Sequence, residues 1–353
     1  MTWQTKKLGD VLDYEQPGKY IVNSKNYSGD YKTPVLTAGK TFILGNTNEK
    51  ENIFPAKKLP VIIFDDFTTA IQFVDFPFKV KSSAMKILHA QKDKTDILYL
   101  FYFMQTIEIN HFTHKRYWIS EYSNLEISLP PLSDQKKIIK ILNEKMEKIA
   151  EVKGLREEVL INTEKILSKT LHEIFKEGKK KGWEENKVVN LIEKNHKQKA
   201  LPRKNYLESG KYPVVDQGQD FIDGYTNDIS LVYRTNSPLV IFGDHTRILK
   251  FINFSFALGA DGTQILKPKN ILSPKFFYYA LLSLDIKSRG YSRHFKILKE
   301  KEINFPSLPE QQKIVKRLDV LFTKIRQAVE FQKSQLEDLK KLEKAYLREA
   351  FNG

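Results

Sequence analysis

The sequence predicts an α+β protein in which two tandem strand-rich α/β domains are each followed by one long helix. Three observations lead to this prediction. The chain of 353 residues repeats itself at about half its length. Each half opens with short apolar runs separated by Gly, Pro, Asn and Asp, a pattern typical of strands and turns. Each half then ends in a segment almost free of Gly and Pro, which is typical of a long helix.

The repeat is colinear along the whole chain. Residues 60–68 match residues 238–246, and the boundary segment 126–138 returns as 302–314. Single residues also recur in the same order: Trp3, Lys7, Pro34, Gly39, Phe42, Gly45 and Thr47 match Trp183, Lys187, Pro213, Gly218, Phe221, Gly224 and Thr226. Because the offset drifts by only a few residues, the two halves are copies of one another.

The domain boundaries follow from the change of pattern within each copy. The apolar runs 61–64 and 239–242 predict buried strands, and segments 96–109 and 274–286 predict helices packed against them. The predicted divisions are a first domain over 1–132, a long helix over 133–178, a second domain over 179–308 and a long helix over 309–353.

Both long segments carry apolar residues at steps of seven, the spacing of a coiled-coil seam. The series are Val152, Val159 and Ile166 in the first segment, and Leu318, Ile325, Leu339 and Tyr346, interrupted by Gln332, in the second. At 1.5 Å per residue each helix extends roughly 60 Å. We expect the helices to pair as an antiparallel coiled coil with pseudo-twofold symmetry. The alternative is two separate helical linkers.

The composition favours a polyanionic partner. Lys and Arg number 58 against 43 Asp and Glu, and this formal net charge of +15 attracts phosphates. The chain has no cysteine, which excludes disulfides and thiol nucleophiles and fits a reducing cytoplasm. The N-terminus lacks the apolar stretch of a signal peptide, and the longest apolar run, 97–104, is too short to cross a bilayer. We therefore expect a soluble, cytoplasmic protein.

The order of elements and one duplicated motif resemble a known family. Residues 129–138 read Leu-Pro-Pro-Leu-Ser-Asp-Gln-Lys-Lys-Ile, and residues 305–314 read Phe-Pro-Ser-Leu-Pro-Glu-Gln-Gln-Lys-Ile. A globular domain, this boundary motif and a long helix, all present twice, resemble the specificity subunits of type I restriction–modification systems. The resemblance covers essentially the whole chain.

The resemblance implies a DNA-binding subunit that has no catalytic centre of its own. Each domain would be a target-recognition domain that reads one half of a split, asymmetric sequence in double-stranded DNA. The helices would set the length of the unread DNA spacer between the two half-sites. They would also dock two adenine-N6 methyltransferase subunits and, through them, motor–nuclease subunits. S-adenosylmethionine, ATP and Mg²⁺ would belong to those partners. A two-subunit system, in which methyltransferase and nuclease are fused on the partner, would have the same specificity subunit.

The candidate DNA contacts are polar and basic residues on loops, because such side chains match the donors and acceptors of base edges. In the first domain they are Thr37, Lys40, Thr68, Thr69, Lys115, Arg116, Tyr117 and Trp118. In the second they are Gln217, Gln219, His245, Thr246, Arg247, Arg289, Tyr291, Ser292, Arg293 and His294. The segment 289–294 is the strongest candidate, with a phosphate-binding or solvated loop as its alternative. For 217–219 the alternative is a tight turn.

Two other functions stay open from the sequence. Asp134, Glu151 and Lys153 could form the acid–acid–Lys set of a nuclease, although all three lie on the predicted helix, where solvated charges are expected. A duplicated coiled-coil scaffold that binds only protein is the other. The sequence contains neither a P-loop nor an Asn/Asp-Pro-Pro-aromatic methyltransferase motif. His111 and His114 have no third ligand nearby, so we predict no metal site.

Overall fold

The structure is a computed structural model, and it describes residues 3–37, 41–91, 93–108, 116–194, 198–290 and 292–351. The chain divides into two compact units. The first unit consists of residues 1–156 and 334–353, and the second unit of residues 157–333. Each unit therefore contains one strand-rich domain and a part of both long helices.

The described strands of the first unit form three sheets. The largest is antiparallel, in the order Leu12–Glu15, Met85–Ala90, Val61–Asp65 and Ile71–Val74. A second has the order Ile43–Thr47, Thr33–Leu36 and Lys79–Val80, its last two strands parallel. Strand Gln4–Lys7 pairs antiparallel with Glu126–Leu129. The helices are Ile97–Met104 and Tyr117–Ser120, with 3-10 turns at Leu8–Asp10, Pro17–Tyr20, Ala56–Lys58 and Tyr122–Asn124.

The described part of the second unit has the same organisation. One sheet has the order Leu249–Ile252, Leu239–Gly243 and Thr263–Leu266, and another Gly224–Thr226, Tyr212–Val215, Phe256–Leu258 and Val232–Tyr233. Strand Glu184–Lys187 pairs antiparallel with Glu302–Phe305. The helices are Val188–Leu191, Pro274–Leu282 and Phe295–Glu300, with 3-10 turns at Arg203–Asn205 and Ile229–Leu231. The predicted fold class, two strand-rich domains each followed by a long helix, is confirmed.

The central strand of each domain is buried on both faces. Ile62 and Phe64 pack into the apolar cluster that includes the helix Ile97–Met104, and Val61 and Ile63 pack into the cluster on the other face. The second unit divides in the same way, with Val240 and Phe242 opposite Leu239 and Ile241. Side chains alternate along a strand, so burial on both faces requires the unbroken apolar run that predicted these strands.

A buried glutamine joins each domain to its long helix. Gln135 donates from Nε2 to the Pro130 carbonyl at 2.8 Å, and its Oε1 accepts from the backbone N–H of Asp96 at 2.8 Å. Gln311 makes the corresponding bonds to the end of the preceding strand at Pro306 and to the N-cap of the short helix. The duplicated boundary motif thus carries the residue that fixes where each long helix begins.

The long helices span Leu132–Lys180 and Leu308–Phe351, which are 49 and 44 residues. Each begins one residue before the predicted start, and the first ends two residues after the predicted end. At 1.5 Å per residue they are about 73 and 66 Å long. In the described part of the chain, no helix is long and apolar enough to span a membrane.

The parts of the two long helices that share a unit lie side by side. In the first unit, Leu142 packs in one cluster with Leu347, and Lys145 Nζ lies 4.1 Å from the centre of the Tyr346 ring. The start of the first helix therefore lies beside the end of the second. In the second unit, residues 170–181 and residues 310–317 line one cavity, so the end of the first helix lies beside the start of the second. The predicted antiparallel pairing is confirmed.

The predicted seam of the first helix is wrong in register. Val152, Val159 and Ile166 are 38%, 43% and 53% exposed, whereas Leu142 and Ile149 are buried on a stripe offset by three residues. Both stripes satisfy a spacing of seven, so the spacing alone cannot choose between them. The neighbouring domain makes the choice: the Tyr102 hydroxyl donates to Asn143 Oδ1 at 2.6 Å and turns the buried stripe towards the domain.

Candidate nucleic-acid interface

In both units the central strand ends in a tight turn with the same backbone. We call residues 66–69 and 244–247 the turn loops. Thr69 and Arg247 occupy equivalent positions with φ of 59° and 64°. The Thr69 N–H donates to the carbonyl four residues earlier at 2.9 Å, and the Arg247 N–H does the same at 2.7 Å. A positive φ is uncommon for residues with a side chain, so its recurrence marks the turn as part of the shared frame.

A buried aspartate holds a second loop against the turn loop of the first unit. We call this second segment, residues 116–118, the clamped loop of the unit; it leads into the first turn of the helix Tyr117–Ser120. The Asp66 carbonyl accepts from the Tyr117 N–H at 3.0 Å, and Asp66 Oδ1 accepts from the Trp118 N–H at 2.9 Å. Two successive N–H groups therefore bind a single residue, which fixes the register of the clamped loop.

The second unit contains the same arrangement. Its clamped loop is residues 293–295. The Asp244 carbonyl accepts from the His294 N–H at 2.8 Å, and Asp244 Oδ1 accepts from the Phe295 N–H at 2.7 Å. The clamped loops are therefore structurally equivalent: both begin with arginine, and the two side chains that follow it differ.

Asp66 and Asp244 are absent from the DNA contacts predicted from the sequence. A signal for them exists: the aspartate is the same in both copies, whereas the residue before it is Asp65 in one and Gly243 in the other. An acidic residue that is the same in both copies, beside a position that differs between them, indicates a role in the shared backbone arrangement. What the sequence cannot indicate is the loop that it binds, about fifty residues further along.

Three of the predicted DNA contacts are buried in the structure. Tyr117 and Trp118 are 1% and 2% exposed, and His294 is 0% exposed. The Trp118 ring packs edge-on against Phe64 with the ring centres 5.6 Å apart. His294 accepts at Nε2 from a backbone N–H at 3.1 Å, so its Nδ1 is the donor to the Asp244 carbonyl at 3.0 Å. All three side chains pack in the interior of their domains.

Gln217 connects three loops of the second unit. Its Oε1 accepts from the His245 N–H at 3.0 Å, and its Nε2 donates to the Asp261 carbonyl at 2.9 Å. Its own carbonyl accepts from the Thr246 hydroxyl at 2.7 Å. Both ends of the amide are therefore used within the unit, and Gln217 contributes to the shape of the surface.

The remaining described candidates are at or near the surface. The exposed ones are Thr68, Arg116, Gln219, Thr246, Arg247, Arg289 and Arg293, and the half-buried ones are Thr37, Thr69, His245 and Ser292. Thr37 donates from its hydroxyl to the Thr41 carbonyl at 2.6 Å and closes a local turn. Three further candidates, Lys40, Lys115 and Tyr291, lie outside the described residues.

The arginines of the second unit differ in how firmly they are held. Arg247 donates from Nη1 to the Ile286 carbonyl at 2.9 Å. Arg293 lies 3.3 Å from an Asp261 carboxylate oxygen, with the two side chains 65% and 94% exposed. An ion pair so open to solvent contributes little to stability. The Arg293 guanidinium can therefore exchange this carboxylate for a phosphate or a base edge.

A buried charge cluster supports the segment that carries Gln219. Lys250 Nζ lies 2.8 Å from Asp223 Oδ2 and also donates to the Asp220 carbonyl. Asp216 accepts from the Gly218 N–H at 2.6 Å. Burial, together with the hydrogen bond to Asp223, raises the pKa of Asp216. Burial alone would also raise the Asp223 pKa, but the hydrogen bond from Lys250 lowers it.

No group of three His, Asp or Glu side chains is placed to hold a metal ion within the ranges that the structure describes. His111 and His114 lie outside those ranges. The described candidates that remain are therefore polar and cationic groups on loops, a set that suits binding to an anion and to base edges.

Comparison with known proteins gives one consistent family. The chain matches the type I restriction modification DNA specificity domain over residues 1–160 and again over 180–338. It is 35% identical to the type I restriction enzyme EcoR124I/EcoR124II specificity subunit of Escherichia coli, covering 88% of this chain and 85% of that protein. It is 24% identical to the putative type I restriction enzyme MjaX specificity subunit of Methanocaldococcus jannaschii, covering 99% and 93%.

A solved structure shares the fold. It is a chain from work on complex assembly and conformational transition of the type I R-M system, with a TM-score of 0.70 and 20% sequence identity. The match covers 99% of this chain and 97% of that one. The duplicated domain match and the identity to the Escherichia coli subunit agree with the duplicated loops found here. The chain belongs to the family of type I restriction–modification DNA specificity subunits.

Proposed function

We propose that the chain reads both halves of a split, asymmetric target in double-stranded DNA, one half with each domain. The target-recognition domains would be residues 1–132 and 179–308, and the helical regions 133–178 and 309–353 would set the unread spacer. One observation carries the proposal: both units present the same turn loop and clamped loop, but the turn loops differ at two positions, where Phe67 and Thr69 stand in the first unit and His245 and Arg247 in the second. Two different DNA half-sites require two different protein surfaces, which can be built on the same backbone arrangement.

The proposed DNA contacts are the candidates that are not buried. They are Thr37, Thr68, Thr69 and Arg116 in the first domain, and Gln217, Gln219, His245, Thr246, Arg247, Arg289, Ser292 and Arg293 in the second, together with Lys40, Lys115 and Tyr291. The net charge of +15 supports contact with phosphates as well as with bases. Arg293 is the strongest of the set, because its present partner is a solvent-exposed carboxylate.

The chain would act through partners rather than through a catalytic centre. We propose that it docks two adenine methyltransferase subunits and, through them, motor–nuclease subunits that carry S-adenosylmethionine, ATP and Mg²⁺. The long helices support docking, since they expose apolar residues such as Leu155, Ile161 and Phe331. A chromosomal DNA target would place the working complex in the cytoplasm.

The decisive experiment maps the methylation that this chain directs. The chain is co-expressed with its cognate methyltransferase in a host free of adenine methylation, and modified bases are mapped by single-molecule sequencing. We expect one split motif with two specific halves. Replacing residues 179–306 by the segment of a relative should change one half, and the matched exchange in the first domain should change the other. Adenine methylation without a defined motif, from an intact complex, would refute the proposal.

The alternatives predict different results. A scaffold that binds only protein would form the complex but give no motif, and its assembly would not depend on the proposed DNA contacts. A nuclease centre would give metal-dependent cleavage by the chain alone, abolished by Asp134→Asn or Glu151→Gln. The fused two-subunit system would give a motif with a single partner protein, which light scattering of the purified complex distinguishes.

A further inference from the structure

The clamp aspartates, Asp66 and Asp244, are buried carboxylates that the proposed DNA contacts do not include. Their residues are 4% and 3% exposed. A buried carboxylate is unfavourable unless hydrogen bonds or an opposite charge compensate for the lost water. Here each one accepts a backbone N–H from a loop 52 or 51 residues further along the chain. Both therefore connect distant segments of the same surface.

Each clamp aspartate holds two loops in one fixed arrangement. The aspartate is the first residue of the turn loop, and it binds two successive N–H groups of the clamped loop. Arg116 and Arg293 directly precede the bound N–H groups. Because the backbone is fixed one residue away, the direction of the Cα–Cβ bond of each arginine is fixed as well.

We propose that Asp66 and Asp244 are positioning residues for target recognition, each specific to the half-site that its own unit reads. They touch no base, and they act by holding a turn loop and a clamped loop in register. This inference rests on the proposed function. It adds the prediction that specificity for each half depends on one buried carboxylate, which can be removed in one unit without affecting the other.

The two clamp aspartates differ in whether a buried lysine lies beside the carboxylate. In the first unit, Lys86 Nζ lies 3.6 Å from Asp66 Oδ2, and the lysine side chain is 2% exposed. Lys86 is paired in the sheet with Phe64. In the second unit, the residue paired with the equivalent Phe242 is the uncharged Gln264. Asp66 therefore neutralises a buried ammonium in addition to binding the loop.

The second unit should tolerate an amide at the clamp. Asp244→Asn keeps an oxygen that accepts from the Phe295 N–H, so discrimination at both half-sites should stay within about twofold of wild type. Asp244→Ala removes the acceptor and leaves the half-buried Phe295 N–H unpaired, which should reduce discrimination at one half-site by about tenfold or more. The other half-site should be read as before. Discrimination is the ratio of affinities of the specificity subunit–methyltransferase complex for cognate duplexes and duplexes altered in one half.

The first unit should not tolerate an amide alone. Asp66→Asn keeps the loop acceptor but leaves the Lys86 ammonium without its counter-charge, so discrimination at the first half-site should fall. The double variant Asp66→Asn with Lys86→Gln reproduces the uncharged position of the second unit. It should recover most of the lost discrimination. A merely structural role for Asp66 would lower the melting temperature of the complex without changing the ratio of its affinities for cognate and altered duplexes.

Hydrogen–deuterium exchange of the full chain separates the inference from the proposed function. Asp244→Ala should accelerate exchange at residues 293–295, and Asp228→Ala is the matched control. Asp228 also accepts a backbone N–H, from Ser230 at 2.9 Å, but in an exposed turn outside these loops.

The outcomes are distinct. Faster exchange with half-specific loss of discrimination supports the inference. Unchanged exchange, equal loss at both half-sites, or failure of the double variant to recover would overturn it. A wild-type complex that discriminates at neither half would instead refute the proposed function.

Discussion

Truncating Gln311 should loosen the joint between the second domain and its long helix. The side chain is fully buried and makes three hydrogen bonds: it donates to the Ile271 carbonyl at 3.0 Å and the Pro306 carbonyl at 2.8 Å, and accepts from the Ser273 N–H at 2.8 Å. At about 1 kcal/mol for each buried bond, Gln311→Ala should destabilise the joint by about 3 kcal/mol. That free energy corresponds to about a 150-fold increase in the equilibrium for local opening.

The measurement is native-state hydrogen exchange at the backbone N–H groups of Phe277 and residue 311, whose acceptors are the Ser273 and Ser307 carbonyls and so remain in the variant. Gln312→Ala is the matched control, because it removes a neighbouring glutamine side chain that is exposed. The same pair exists in the first unit as Gln135→Ala and Lys136→Ala. If exchange in Gln311→Ala rises less than about threefold over the control, the buried glutamine does not hold the joint and the reasoning fails.

Two further predictions concern stability. Burial alone would raise the Glu15 pKa, but hydrogen bonds, the largest from Lys58, lower it to about 2. Because the folded pKa lies below the unfolded value, Glu15 stabilises the fold above pH 4.5 and loses this effect as pH falls towards 2. The difference between the two pKa values corresponds to about 3 kcal/mol, which solvent screening of this partly exposed side chain reduces to about 2 kcal/mol. Glu15→Gln should therefore reduce the change in melting temperature between pH 5 and pH 3. Gly178→Ala should lower the melting temperature, since a Cβ would lie 2.2 Å from the Trp183 ring, whereas Gly154→Ala meets open space and should raise it.

The sequence predicted those parts of the fold that depend on local pattern. The runs 61–64 and 239–242 could be predicted as strands because each is short, apolar at every position and bounded by Pro before it, a pattern that suits a strand buried on both faces. The long helices begin within one residue of their predicted starts, because the boundary motif is itself a structural joint. The register of the helix seam could not be predicted, because Val152 and Ile149 lie on competing stripes and contacts with the domain decide which is buried.

The candidate site was predicted less completely, and the reason is tertiary. Tyr117 and Trp118 follow basic residues, a pattern shared by aromatic residues that stack on nucleic acid and by those that anchor a loop in a core. Only the position of the clamped loop beside Phe64 distinguishes the two. Asp66 presents the converse problem: it lies beside candidates in the sequence, but its partner is distant, and periodicity carries no information about a hydrogen bond between loops.

The two units share a backbone arrangement but differ in the buried residues beneath their loops. The clamp aspartate is the same in both, but the support beneath the neighbouring segment is not. Lys250, which binds the buried Asp223, is paired with Ile241 in the central strand of the second unit, and the corresponding partner of Ile63 in the first unit is the neutral Gln72. A buried lysine requires a carboxylate nearby, so such a change must be matched by a change in the loop above it. Transferring a single loop residue from one unit to the other should therefore fail to transfer target specificity, whereas transferring the whole segment should succeed. The reason is that the buried residues below each loop and the surface residues of that loop differ between the units in a matched way.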